Sequence, residues 1–168
     1  MNNTVIFPGS FDPLTNGHLN LIERASMLFT HVVVGVAKDT TGRQAIFSYE
    51  ERCAFVNESL MKALNNRSNI SVKGFNGLLV DFYHAESANA VIRGLRSAQD
   101  FAYEMQLANV NKKLLPTMET ILLMATPEHA CISASMVREI AFLGGDISAF
   151  VPMPVAKAFA RLLRVKNG

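Results

Sequence analysis

An open, parallel, five-stranded α/β sheet with helices on both faces is the fold this sequence predicts, and three observations predict it. Five short aliphatic, mostly β-branched runs alternate with segments whose apolar residues recur at helical spacing. The connections between the runs are long enough for the crossovers that parallel strands need. The conspicuous polar residues fall just after the runs, where an open parallel sheet presents its ligand site.

Val5, Ile6 and Phe7 form the first run, which Pro8 and Gly9 are expected to stop. Thr15-Asn16-Gly17-His18 then leads into a helix whose Leu21, Ile22, Ala25, Leu28 and Phe29 cover one face. Val32-Val33-Val34-Gly35-Val36-Ala37 is apolar throughout, as a strand buried on both faces requires. After a polar loop over 38–45, Ser48-Tyr49-Glu50-Glu51 is a capping box for a helix with the stripe Cys53, Phe55, Val56, Leu60 and Leu64. Ile70-Ser71-Val72 alternates as a short third strand, residues 78–83 suit a helix, and Ala90-Val91-Ile92 is a fourth strand ending at Arg93-Gly94. A long helix over 98–115 precedes a fifth strand over 121–124. Ser133 or Ser135 caps a short helix that Gly144-Gly145 ends, and Val155, Ala158, Phe159 and Leu162 mark a terminal amphipathic helix. There is no internal repeat, and the whole, 1–168, is expected to be one Rossmann-like domain.

The 168 residues are 49% hydrophobic and 18% charged, with a formal net charge of +2. That balance speaks against disorder and against a strongly basic nucleic-acid surface, and it accommodates a small anionic ligand. The start MNNTVIF lacks a basic region followed by a long apolar run, and no apolar stretch approaches the roughly 18–20 residues of a membrane span. A soluble, cytoplasmic protein with neither a membrane nor a nucleic-acid partner is the expectation. Cys53 and Cys131 lack metal-ligand spacing and read as two reduced thiols.

Residues 5–18 form a strand–loop–helix junction, which sets free backbone N–H groups and the positive end of a helix dipole beside the strand's end. An anion, usually a phosphate, is favoured there. Gly9 and Gly17 let the backbone come close, and His18 offers an N–H from the first turn. Arg93-Gly94-Leu95-Arg96 carries two guanidinium groups suited either to surface ion pairs or to phosphates. The stretch Ile132-Ser133-Ala134-Ser135-Met136-Val137-Arg138 suits a helix cap and, through the same hydroxyl and N–H groups, a nucleotide phosphate.

The run Gly9-Ser10-Phe11-Asp12-Pro13, followed by Thr15 and Gly17-His18, resembles the nucleotidyltransferase superfamily that carries the (H/T)xGH signature. The chain as a whole resembles the bacterial phosphopantetheine adenylyltransferases. That resemblance implies transfer of AMP from ATP to 4′-phosphopantetheine, with pyrophosphate released and dephospho-coenzyme A formed. It implies ATP contacts at Ser10, Phe11, His18, Gly94, Leu95, Arg96 and Glu104, the last within Tyr103-Glu104-Met105-Gln106. The segment His129, Ala130, Cys131, Ile132, Ser133, Ala134 and Ser135 matches the family's final ATP-binding turn. Ser10, Arg43, Leu79 and Arg93 fall on the acceptor side, and Ser10, His18, Arg43 and Arg96 would stabilise the transferring group. Mg²⁺ is implied on the polyphosphate, held by ATP oxygens and water, and a homohexamer is implied as the assembly. Several positions depart from the family: Arg43 replaces a lysine, Ala134 a serine, His129 and Cys131 a common aromatic pair, and Ala102 a frequent acidic residue. The alternatives are a sister adenylyl- or cytidylyltransferase with another acceptor, and a non-catalytic nucleotide-binding module.

Overall fold

The computed structural model describes residues 3–39, 44–63 and 67–166. Its sheet contains β1 (Thr4–Gly9), β2 (His31–Ala37), β3 (Ile70–Phe75), β4 (Ala90–Leu95) and β5 (Thr120–Met124), all parallel, in the order β3-β2-β1-β4-β5. The helices are α1 (Asn16–Leu28), α2 (Tyr49–Ala63), α3 (Leu79–Ala85), α4 (Ala98–Leu114), α5 (Ala134–Phe142) and α6 (Met153–Lys166), with one 3₁₀ turn at Pro127–His129. This is the α/β architecture that the sequence predicts. Among the described residues no helix is long and apolar enough to cross a membrane.

Alternate residues of a strand face opposite sides of the sheet, and here both sides are covered. Val5, Phe7, Val32, Val34, Val36 and Ile92 join one core with α1, α2, α5 and α6. Their neighbours Ile6, Val33 and Val91 join a second with Val80, Phe82 and Tyr83 of α3 and with Met118. Two-sided burial is why the central strands are continuously apolar instead of alternating. The chain steps outward from β1 to β3, then crosses back to lay β4 on the other side of β1. That reversal makes the β1–β4 junction the switch point of the sheet.

Three strands outlast their expected ends, and each extension has a pairing reason. Pro8 and Gly9 do not stop β1, because both stay in register with β2, Pro8 opposite Gly35 and Gly9 opposite Val36. They end only the pairing with β4, which is limited to Val5–Ala90 and Ile6–Val91. Proline has no N–H to donate, so a ladder ends where that N–H would be required. β4 runs on to Leu95 because β5 pairs with it as far as Leu95–Met124, which puts Arg93 and Gly94 inside the strand. β3 continues through Gly74 and Phe75, opposite Val36 and Ala37. Glycine at 74 leaves room for Tyr49, since a Cβ there would lie 1.6 Å from the Tyr49 Oη and displace the ring.

Local capping follows the sequence closely. Thr15 caps α1, with its hydroxyl accepting from the His18 N–H. Ser48 and Glu51 exchange the reciprocal bonds of a capping box at α2, the Ser48 N–H to Glu51 Oε2 at 2.9 Å and the Glu51 N–H to Ser48 Oγ at 3.2 Å. Phe55, Val56 and Leu60 are buried and Cys53 partly so, while Leu64 lies outside the described residues.

The stripe of α2 also contains a cation. Arg52 is 1% exposed and, among the described residues, bonds no carboxylate. Its Nε donates to the Phe47 carbonyl at 3.2 Å, Nη1 to the carbonyls of Ser10 and Ala37, both at 2.7 Å, and Nη2 to that of Lys38 at 3.0 Å. One guanidinium thus fastens the loop after β1, the end of β2 and the entry to α2. A buried charge is tolerated when hydrogen bonds replace its water. Arg52→Met keeps the length and removes the donors, stranding four carbonyls. Its expected cost is about 3 kcal/mol of folding stability, read as a lower urea midpoint at unchanged slope. A loss below about 0.5 kcal/mol would refute the fastening role.

Candidate active site

Where β1 and β4 part, a cavity of about 620 Å³ opens beyond their carboxyl ends. Its floor is Pro8, Gly9, Ile92 and Gly94, and its walls come from the loop after β1, the start of α1, the first turns of α4 and the start of α5. Gly94 leaves room for the helix beneath, because a Cβ there would lie 2.4 Å from the Leu21 Cδ1.

His18 sits in the first turn of α1, at the cavity wall. Its Nδ1 accepts the Thr15 backbone N–H at 3.1 Å, so that nitrogen carries a lone pair and the proton of the neutral ring belongs on Nε2. The ring meets Phe11 edge-on, with centroids 5.3 Å apart, and Phe7 at 6.5 Å. Burial, then the charges of Arg96 and Arg93, push its pKa from 6.5 down to about 4. The result is a neutral N–H donor near neutral pH, in a place rich in positive charge. Phe11 itself has φ 49° and is 2% exposed, a left-handed backbone that its packed ring holds in place.

Both arginines of the Arg93-Gly94-Leu95-Arg96 stretch reach the cavity, each held by a carboxylate from α4. Arg93 projects from within β4, not from the loop after it. Its Nη1 donates to the Pro8 carbonyl at 3.0 Å, bridging the gap between the two central strands. Its Nε and Nη2 form a fork on Glu104, at 2.7 and 2.8 Å. Glu104, expected as an ATP contact, therefore has both carboxylate oxygens on Arg93 here. Arg96 makes a second fork, Nε to Asp100 Oδ2 at 3.0 Å and Nη2 to Oδ1 at 3.1 Å, and its Nη1 reaches the Ile132 carbonyl at 3.1 Å. Burial raises the Asp100 carboxyl, but the Arg96 hydrogen bonds and charge win and hold it below its ordinary value.

The opposite wall is a helix start. Ser133, not Ser135, caps α5, accepting from the Met136 N–H at 3.1 Å. The first backbone bond of α5 runs from the Val137 N–H to the Ser133 carbonyl, which leaves the N–H groups of Ala134 and Ser135 for an anion. Ser135 instead accepts from Arg138 Nη2 at 3.1 Å, while Arg138 Nη1 donates to the Asp12 carbonyl at 2.9 Å. The Asp12 carboxylate is occupied too, accepting the N–H groups of Ile46 at 2.9 Å and Phe47 at 3.1 Å.

Of the residues expected at the site, the cavity gathers Ser10, Phe11, His18, Leu79, Arg93, Gly94, Arg96, Glu104, His129, Ile132, Ser133, Ala134 and Ser135. Leu95, Ala130 and Cys131 do not line it, and Arg43 lies outside the described residues. Arg138, Asp12 and Asp100 also line the cavity, although none of them has a role of its own in the sequence analysis. Their signals were present as spacing: Arg138 follows Ser135 by one helical turn, and Asp100 follows Arg96 by four residues.

A sequence model of the family described as cytidylyltransferase-like matches residues 6–140. Among solved structures, a protein assigned provisionally as a nicotinate-nucleotide adenylyltransferase from Vibrio parahaemolyticus superposes with a TM-score of 0.67 at 18% identity, covering 95% of this chain and 99% of that one. A bifunctional NMN adenylyltransferase/ADP-ribose pyrophosphatase from Francisella tularensis, complexed with AMP and manganese, superposes with a TM-score of 0.71 at 15% identity. That match covers 98% of this chain and 50% of the other, so this chain spans about half the length of the bifunctional protein. At these identities the likeness is one of fold.

The His18 assignment has a direct readout in nitrogen-15 NMR. The expected pattern is an Nε2–H tautomer with no ring protonation as the pH falls from 7.5 to about 5. Because the folded value is depressed, the unfolded chain binds this proton first; the contribution to stability is complete above about 6.5 and drains away as pH falls toward 4. A titration midpoint above about 6 would refute the neutral assignment.

Proposed function

We propose that this chain, which belongs to the cytidylyltransferase-like family, transfers AMP from ATP to 4′-phosphopantetheine, yielding dephospho-coenzyme A and pyrophosphate. The observation that carries the transfer reading is the neutral His18, its donor set on Nε2 and held at one cavity with two fixed guanidinium groups and an open helix start. A phosphate of the acceptor attacks the α-phosphorus of ATP in line; the new P–O bond forms as the bond to the leaving pyrophosphate breaks. The attacking phosphate is largely ionised near pH 7, so no general base is needed. Catalysis reduces to positioning and to stabilising charge on the transferring group. His18 Nε2–H serves the α-phosphate, Arg93 the acceptor phosphate, and Arg96 with the α5 start the β- and γ-phosphates. Ser10 stands at the turn between them, and Arg43 remains a candidate for the same duty.

The acceptor side rests on a different observation. Ala37, Phe75 and Leu79, with Asp39 beside them, line the cavity as well, and the apolar surface of those three suits a flexible pantetheine arm more than the polar edges of a second nucleotide. Among the described residues no group of three His, Cys, Asp or Glu side chains could hold a metal ion. The residues present therefore fit Mg²⁺ only as an ion carried on the polyphosphate, where it would neutralise charge. A homohexamer is the assembly we infer from the resemblance, with exposed Phe101, Met105 and Val110 of α4 in support.

Pyrophosphate release from ATP, with 4′-phosphopantetheine, nicotinate mononucleotide and nicotinamide mononucleotide offered in turn, tests the reading. Turnover with the first alone is expected; turnover with either mononucleotide moves the chain to a sister activity, and ATP binding without turnover makes it a binding module. His18→Ala is expected to lower kcat by roughly two to three powers of ten and to change ATP affinity much less. Equal losses in both would overturn that role. Arg93→Ala is expected to raise KM for the acceptor far more than for ATP, and the reverse pattern would assign Arg93 to the nucleotide.

A further inference from the structure

We infer that Asp100 is a positioning residue that acts through Arg96, setting the guanidinium plane toward the polyphosphate and tying it to the start of α5. The inference rests on the nucleotidyl-transfer reading above and concerns a residue which that reading leaves without a role. Asp100 occupies the first turn of α4, where its own N–H donates to the Ser97 hydroxyl at 3.2 Å. Its carboxylate accepts three times from Arg96: the backbone N–H at 2.9 Å, Nε at 3.0 Å and Nη2 at 3.1 Å. With Nη1 bonded to the Ile132 carbonyl at 3.1 Å, three of the five guanidinium donors are fixed. One N–H remains on each terminal nitrogen, at the cavity wall. Ile132 immediately precedes Ser133, the cap of α5, so the orientation that Asp100 imposes is passed to the helix start across the cavity.

The packing of α4 supports a role beyond a surface ion pair. Glu104 is the buried residue of α4, and it lies one turn beyond Asp100 on the same face, forked onto Arg93. The amino-terminal half of α4 therefore meets the sheet through two carboxylate–guanidinium forks and not through an apolar stripe. Forks of this kind fix a plane as well as a distance, which a lone charge does not. An arginine on a strand end has many rotamers, and ordering it in advance removes an entropy cost from ligand binding.

Calorimetric titration with inorganic pyrophosphate tests this without any acceptor. Asp100→Asn is expected to weaken pyrophosphate binding by about tenfold, and Asp100→Glu, still a two-oxygen acceptor, to recover much of it. A purely structural defect would appear as a lowered Tm with both variants equally weak, which would overturn the inference. Arg96→Lys supplies the decisive comparison, since lysine keeps the charge without the fork. In that background Asp100→Asn is expected to add less than about twofold, whereas a full further tenfold loss would mean that Asp100 acts independently of Arg96. Unchanged or tighter pyrophosphate binding by Asp100→Asn in the wild-type background would also overturn the inference, because Asp100 would then only compete for the cation. If the unsubstituted protein binds neither pyrophosphate nor ATP, the nucleotidyl-transfer reading falls and this inference falls with it. Binding by the unsubstituted protein with no change in the variants defeats this inference alone.

Discussion

β1 and β4 stop pairing after Ile6 and Val91, and the gap opened there sets where every other group of the cavity can stand. Two adjacent parallel strands lie about 4.8 Å apart, too close for a ligand, until something ends the ladder. Pro8 ends it on one side without disturbing the other, because its register with β2 continues. The freed Pro8 carbonyl then takes Arg93, so a guanidinium replaces the missing rung. Strand divergence, the anchoring of Arg93 and the position of α4 through Glu104 are thus consequences of one interrupted ladder.

Around that gap the molecule gathers cations and gives each of them partners before any ligand arrives. Arg93 and Arg96 have carboxylates, Arg138 has the Asp12 carbonyl and the Ser135 hydroxyl, and Arg52 has four carbonyls. The arginine–carboxylate pairs add little net stability, since desolvation offsets most of their Coulomb attraction, but they fix geometry. The cavity retains directed donors: the His18 Nε2–H, the first N–H groups of α5 and the unused guanidinium protons. A site built this way orients an anion by hydrogen bonds already in place, which is what transition-state stabilisation needs. Loss of water around the ring, aided by the same positive surroundings, keeps His18 neutral, so its donor is fixed on one nitrogen across the usual working pH.

Below the cavity, Arg52 and Asp12 act as the frame. Arg52 binds the carbonyls of Ser10, Ala37, Lys38 and Phe47, and Asp12 binds the N–H groups of Ile46 and Phe47. One side chain answers the acceptors and the other the donors of segments far apart in sequence. The loop after β1 is held from both sides, which lets Phe11 keep a left-handed backbone with its ring against His18.

The sequence by itself determined the α/β class, the five strands and the capping box at Ser48, and narrowed the cap of α5 to Ser133 or Ser135, because periodicity and capping are local and are written in neighbouring residues. It also marked His18, Arg93 and Arg96, since glycine-flanked junctions after apolar runs are visible along the chain. Only the tertiary structure decided that β1 outlasts Pro8 and that β4 includes Arg93, because strand ends depend on which neighbour still offers a partner. It alone decided that Arg52 is buried. A charge between apolar residues on a helix face looks like an interruption until three carbonyls from distant segments, and that of nearby Phe47, converge on it. The pairing of Arg93 with Glu104 and the choice of tautomer at His18 belong to the same class. Each is a matter of which donors and acceptors meet after folding, and that meeting is set by topology and not by proximity along the chain.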